Sequence, residues 1–161
     1  MTSTTVATIL KRTADELEHL MCRYESLRLS VEDTDPVKAQ LAQFLAGREA
    51  ATMAALDRYQ SRHEHHAALD VHVRLASGFP FSGEELHYPD NPSLDELIEL
   101  AERTDELLGQ LSERIQVYAV SGELVTALEA LEELVSERRR HLSAALQELE
   151  DYAPSPPRAH D

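Results

Sequence analysis

At 161 residues the chain has the length of one ordinary domain, enough to bury roughly 70% of the surface its unfolded form exposes. With 42% apolar residues, five glycines and no tryptophan, in a body rich in Leu, Ala and Glu, it is expected to be all-α, because straight-chain residues lose little freedom in a helix. A formal charge of -15 argues against nucleic-acid and anionic-membrane partners, which are held through clustered Lys and Arg.

Val6, Leu10, Leu17, Leu20, Tyr24, Leu27 and Val31 recur at three and four residues and predict a first helix from about Thr5 to Val31. Asp33 to Asp35 break that stripe, and Asp35-Pro36 then reads as the N-cap and first residue of a second helix. Its stripe is Val37, Leu41, Phe44, Leu45, Leu56 and Tyr59. The same periodicity is expected to continue through the His-rich stretch to Ser77, with Gly78 as the C′ residue.

Gly78 to Pro92 (GFPFSGEELHYPDNP) is dense in proline and glycine and reads as a long connection. Ser93-Leu94-Asp95-Glu96 forms a capping box, which opens a third helix running through Leu97, Ala101, Leu108, Leu111, Ile115 and Tyr118 towards Gly122. A fourth helix carries Leu124, Leu128, Leu131, Val135, Leu142 and Leu149 until Pro154-Ser155-Pro156-Pro157 ends it. The expected organisation is one helical domain over residues 1–153 and a Pro-rich tail over 154–161.

The two halves share one plan. Leu41 to Leu56 (LAQFLAGREAATMAAL) aligns without a gap on Leu131 to Leu146 (LEELVSERRRHLSAAL) at an offset of 90 residues, which places Arg48 on Arg138 and Ala51 on His141. The first and third helices align at an offset of 91, with Thr13 on Thr104 and Leu17 on Leu108. Four helices joined by short, long and short links, with an internal two-helix repeat, have the topology of a ferritin-like four-helix bundle. The long crossover, the LDELIELAERTDELL opening of the third helix and the LEELVSERRRHLSAAL body of the fourth resemble rubrerythrin-like members of the ferritin superfamily.

That resemblance implies an inward-facing dimetal site, with one Glu on each of the first and third helices and a Glu-x-x-His on each of the second and fourth. Here Arg48 and Arg138 stand where it would put the two motif glutamates, and Ala51 (or Thr52) and His141 stand at the histidine positions. Thr13 and Thr104 fall near the level of the other two glutamates. Such a set opposes a hard cation with two positive charges, so the expectation is a degenerate site with no metal and no cofactor. A one-residue shift of register would instead turn Glu49 and Glu137 inward, with Glu16 and His141 as further ligands, although Thr52 and Arg140 would then take the histidine positions.

A guanidinium on a core stripe must be paired or must reach water along its stem. Either Arg48 and Arg138 meet acids from the first and third helices, with Glu16, Asp105 and Glu106 as candidates, or both curl to the surface. His63, His65, His66 and His72 are the densest group of ligand-type residues; His63, His66 and Asp70 would make a zinc site there, against the plainer reading of a solvated polar face. His141 is the lone histidine placed on a core stripe, and Tyr24, Tyr59 and Tyr118 read as core residues with hydroxyls at the rim.

Cys22 has no second cysteine to pair with and no histidine beside it in sequence that would activate it. Neither a signal-peptide pattern nor a long apolar run is present, which points to the cytoplasm and away from a membrane. The function expected is a non-catalytic binding or scaffold module with an unidentified protein partner, and the resemblance implies a homodimer. The alternative is a metal-binding protein with an oxidoreductase or metal-handling role, using the shifted carboxylates or the histidine stretch. A third reading is an adaptor whose His-rich arm responds to pH.

Overall fold

The structure is a computed structural model that describes residues 4–62, 66–81, 86–116 and 122–152. It is mostly helical, with α1 (Val6–Val31), α2 (Pro36–Ser61), a short α3 (His66–Leu69), α4 (Leu94–Arg114) and α5 (Gly122–Tyr152). Three short strands, β1 (Thr4–Thr5), β2 (His72–Leu75) and β3 (Ile115–Gln116), pair antiparallel in the order β1-β2-β3. Among the described residues no helix is long and apolar enough to cross a membrane.

Local chemistry accounts for the helix starts. Thr5 caps α1 by accepting the Thr8 amide at 3.2 Å, and Asp35 caps α2 by accepting the Lys38 amide at 3.1 Å with Pro36 behind it. At α4 both halves of the capping box form: Ser93 Oγ accepts the Glu96 amide and the Glu96 carboxylate accepts the Ser93 amide, each at 3.1 Å. The four-residue link Glu32–Asp35 turns α2 back along α1. Ile9, Leu17, Tyr24, Leu45, Leu97, Leu108 and Leu111 are among the core side chains with almost no exposure.

Two helices are shorter than periodicity alone predicts. α2 ends at Ser61, and residues expected to prolong it to Ser77 form α3 and β2 instead. Apolar Val71, Val73 and Leu75 alternate with polar His72 and Arg74, with Val73 buried, a period of two that suits a strand, and the two valines are β-branched. β2 then ties the start of α1 to the end of α4, because Thr5 pairs with His72 and Leu75 with Ile115, and Ala76 N–H donates to Arg114 O at 2.7 Å. The second correction follows from the first: α4 stops at Arg114, since Ile115 joins the sheet, and Tyr118 lies outside the described residues. Gly78 closes the turn after β2, with φ +82° and its N–H on Leu75 O, and is not a helix stop.

The connection beyond Gly78 lies against α1. Arg12 stacks over the Phe79 ring at 4.2 Å, Arg23 over Tyr88 at 5.2 Å, and Tyr88 meets Tyr24 edge-on with centroids 6.0 Å apart. The predicted tail over 154–161 falls outside the described residues.

Candidate functional site

The middle of the fold is polar. Arg48, Glu49, Thr52, Thr104, Asp105 and Arg138, with Thr13, are buried among the leucines. Every buried charge needs a partner, and these four charged residues supply one another. Arg138 presents its fork to Glu49, Nη2 donating to Oε1 at 2.9 Å and Nη1 to Oε2 at 3.0 Å, while its Nε donates to Asp105 Oδ1 at 2.9 Å. Arg138 Nη1 also reaches the Thr52 hydroxyl. Arg48 donates through Nη1 to Asp105 Oδ2 at 2.7 Å and through Nη2 to the Ala101 carbonyl at 3.3 Å, and its Nη2 lies 3.7 Å from Glu49 Oε1. Short charge-assisted bonds of this kind are about twice as strong as neutral ones.

Each half of the repeat contributes one cation and one anion, so the network is neutral. The repeat also shows where the halves diverge to achieve this: Glu49 aligns with Arg139, and Asp105 aligns with Ala14. The threonines keep the symmetry. Thr13 Oγ1 donates to Ile9 O at 2.8 Å and Thr104 Oγ1 to Leu100 O at 2.7 Å, so each hydroxyl satisfies itself on its own helix and adds nothing to the network.

Both registers considered for α2 bury their charge. Leu41-Ala42, Leu45-Ala46 and Arg48-Glu49 are successive buried pairs, the mark of a helix covered on two sides, by α1 and by the α4 and α5 elements that carry Asp105 and Arg138. α5 buries a narrower stripe of Leu124, Ala127, Leu131, Val135, Arg138 and Leu142. Glu137 and His141 each precede a buried residue by one position, about 100° round the helix, and both are exposed. The placement of His141 on a core stripe is therefore corrected, as is the inward turn of Glu137.

Among the candidate acids, Asp105 holds both arginines, whereas Glu106 is exposed and pairs with Arg103 at 2.9 Å. Glu16 is half-buried on α1 and carries no bond to either arginine. Partnership therefore passes from Glu16 and Glu106 to Glu49, which sits beside Arg48 in sequence. Of the histidine stretch, His63 lies outside the described residues, the side chain of His66 likewise, and Asp70 is exposed. Cys22 is exposed too.

The network also sets the electrostatics of its surroundings. Burial alone would lower the Arg138 pKa, but Glu49 and then Asp105 outweigh it and hold the guanidinium above its ordinary value. Burial, reinforced by the Glu49 carboxylate, pushes the Tyr24 phenol well above its usual range against the opposing pull of Arg48 and Arg138. The Tyr24 hydroxyl and Arg48 Nε are buried with no hydrogen-bond partner among the described residues.

A dimetal centre of the carboxylate type does not fit this donor set. The two central carboxylates already accept charge-assisted bonds from two guanidinium groups, and a divalent cation would have to displace them. Among the described residues no group of three His, Cys, Asp or Glu is arranged to hold a metal ion. No protein-family model matches the chain, and no curated protein and no solved structure matches it either.

Proposed function

We propose that the chain is a non-catalytic helical protein of ferritin-like four-helix topology that works as a binding or scaffold module. The observation that carries this reading is the network of Arg48, Glu49, Asp105 and Arg138, standing at the level where the sequence resemblance would put metal ligands. A short link, a long link and a further short link between the four long helices support the topology. Mutually neutralised charges are poor general acids, bases or nucleophiles, since any proton or electron pair they offered would first have to leave a charge-assisted bond. In this reading the chain acts through its surface, on a protein partner or on a second copy of itself.

Two measurements test it. Elemental analysis of untagged protein, before and after anaerobic loading with iron, manganese and zinc, is expected to find only traces of metal; stoichiometric iron lost in Glu49→Gln would overturn the reading. Sedimentation equilibrium then separates self-association from a requirement for a different partner.

A further inference from the structure

A cleft of about 490 Å³ opens between α2 and α5 above the charge network. Its walls come from equivalent positions of the repeat: Gly47 and Glu137, Arg48 and Arg138, and Ala51 and His141 all line it. Were the halves alike in side-chain size, these positions would fill the space between the helices. They are unlike, because α2 carries the two small residues. A Cβ built at Gly47 meets nothing within 4 Å, so open space follows directly from the residues on α2.

The charged groups that line that space are mostly guanidinium, on a chain that is acidic as a whole. Arg48 and Arg138 line the cleft, whereas their partners Glu49 and Asp105 do not, so the cationic side of the network is the side turned to it. Arg58 adds a third guanidinium, exposed at the wall, and Glu137 is the one carboxylate there among the described residues. Arg48, only 7% exposed, also retains one donor, Nε, with no hydrogen-bond partner among the described residues. On a chain of net charge -15 the general field repels anions, so three guanidinium groups on one concave wall, two of them neutralised from behind by Glu49 and Asp105, make a donor-rich spot that is less hostile to an anion than the rest of the surface. Guanidinium forks match the planar oxygens of carboxylates and phosphates, and the volume lies in the range of small-molecule sites, about 300–1,000 Å³.

We propose that this cleft binds a small organic oxyanion, a carboxylate or phosphate ester, with its charged end against Arg48 and Arg58 and its body over Gly47 and Ala51. The site goes beyond the scaffold reading and does not depend on it.

Calorimetric titration of the full chain with succinate, citrate and glycerol phosphate, each in phosphate-free buffer of low ionic strength, tests the proposal. At least one probe is expected to saturate with one-to-one stoichiometry and a dissociation constant of about 1 mM or tighter, and the preferred probe assigns carboxylate or phosphate chemistry. Gly47→Leu and Ala51→Leu fill the cleft from an exposed position; the first favours the helix and the second costs it little, so both should keep native circular dichroism while losing the binding. Arg58→Gln should weaken it about ten-fold. Absence of saturable binding by all three probes would overturn the proposal, as would unchanged binding in a folded Leu variant. Neither result depends on whether a protein partner exists.

Discussion

Arg48 and Arg138, ninety residues apart and equivalent in the repeat, hold opposite oxygens of one carboxylate, Asp105 Oδ2 at 2.7 Å and Oδ1 at 2.9 Å. A single acid on α4 thus joins α2 to α5, and Glu49 closes the circuit from the other side through the fork of Arg138. Three of the four long helices meet at this point. Desolvating four charges is costly, and a neutral set of mutual bonds offsets that cost only while every member is present.

Removing one member should therefore be severe. Arg138→Met leaves Glu49 with only the 3.7 Å approach of Arg48 and Asp105 with one partner, with an expected loss of about 3–5 kcal/mol in chemical denaturation. Replacing Arg48, Glu49, Asp105 and Arg138 together by Met and Leu should be neutral or stabilising by about 1–4 kcal/mol. A quadruple variant that fell as far as Arg138→Met would show that the network adds net stability.

Alkaline stability should report on Tyr24. Its folded pKa is raised above the ordinary 10.0 by burial and Glu49, with Arg48 and Arg138 opposing and Tyr88 adding to the rise. Above pH 10 the unfolded chain therefore binds fewer protons than the folded one, so stability is fully present below that pH and declines above it. The decline is expected to be about 1.4 kcal/mol per pH unit for a phenol that stays protonated. Tyr24→Phe should remove most of that slope and leave stability at neutral pH unchanged or higher, since the hydroxyl has no partner among the described residues. Tyr59 and Tyr88, whose pKa values are also raised by burial, account for the residual slope.

Glycines should respond in opposite directions according to backbone. Gly47 is inside α2 with open space at its Cβ position, so Gly47→Ala is expected to stabilise by about 0.5–1 kcal/mol. Gly78 has φ +82°, and Gly78→Ala should cost about 1–2 kcal/mol despite equally open space, because Cβ then crowds the neighbouring carbonyl. Thermal melts of the two variants check the contrast.

The capping box of α4 is the simplest local test. Ser93→Ala removes the acceptor of the Glu96 amide and should cost about 1 kcal/mol. Ser93→Asp keeps the acceptor and should restore nearly all of it.

Much of this molecule is legible in its residues because helices are local objects. The caps at Asp35 and Ser93 and the stripes of α1 and α5 depend on spacings of three and four and on side chains that bond the adjacent turn. The same locality misleads at His72–Leu75, where an apolar period of two is continued on paper as helix. Strand formation there depends on Thr4–Thr5 and Ile115–Gln116, dozens of residues away, offering their backbones for pairing. The shifted register turns Glu49 inward, but as a metal ligand, and its mismatch with Arg139 in the repeat is a faint sign of another role; no spacing rule distinguishes a carboxylate that faces a guanidinium from one that faces water.

The amino-acid order by itself therefore determined a mostly helical chain, its caps, its two-fold plan and the position of Arg48 and Arg138 on core stripes, while leaving open whether they are buried or curl to the surface. Tertiary structure alone decided which acids meet them. α2 is covered on two sides, so Glu49 is enclosed along with Arg48. α4 also buries successive pairs, Leu100-Ala101, Thr104-Asp105 and Leu107-Leu108, but Glu106 falls between two of them on the face turned to water, and Glu137 stands one residue before the narrower stripe of α5. The physical reason is that helical periodicity specifies a direction around one axis. Burial of a charge, and the identity of its partner, depends on where the neighbouring axes lie.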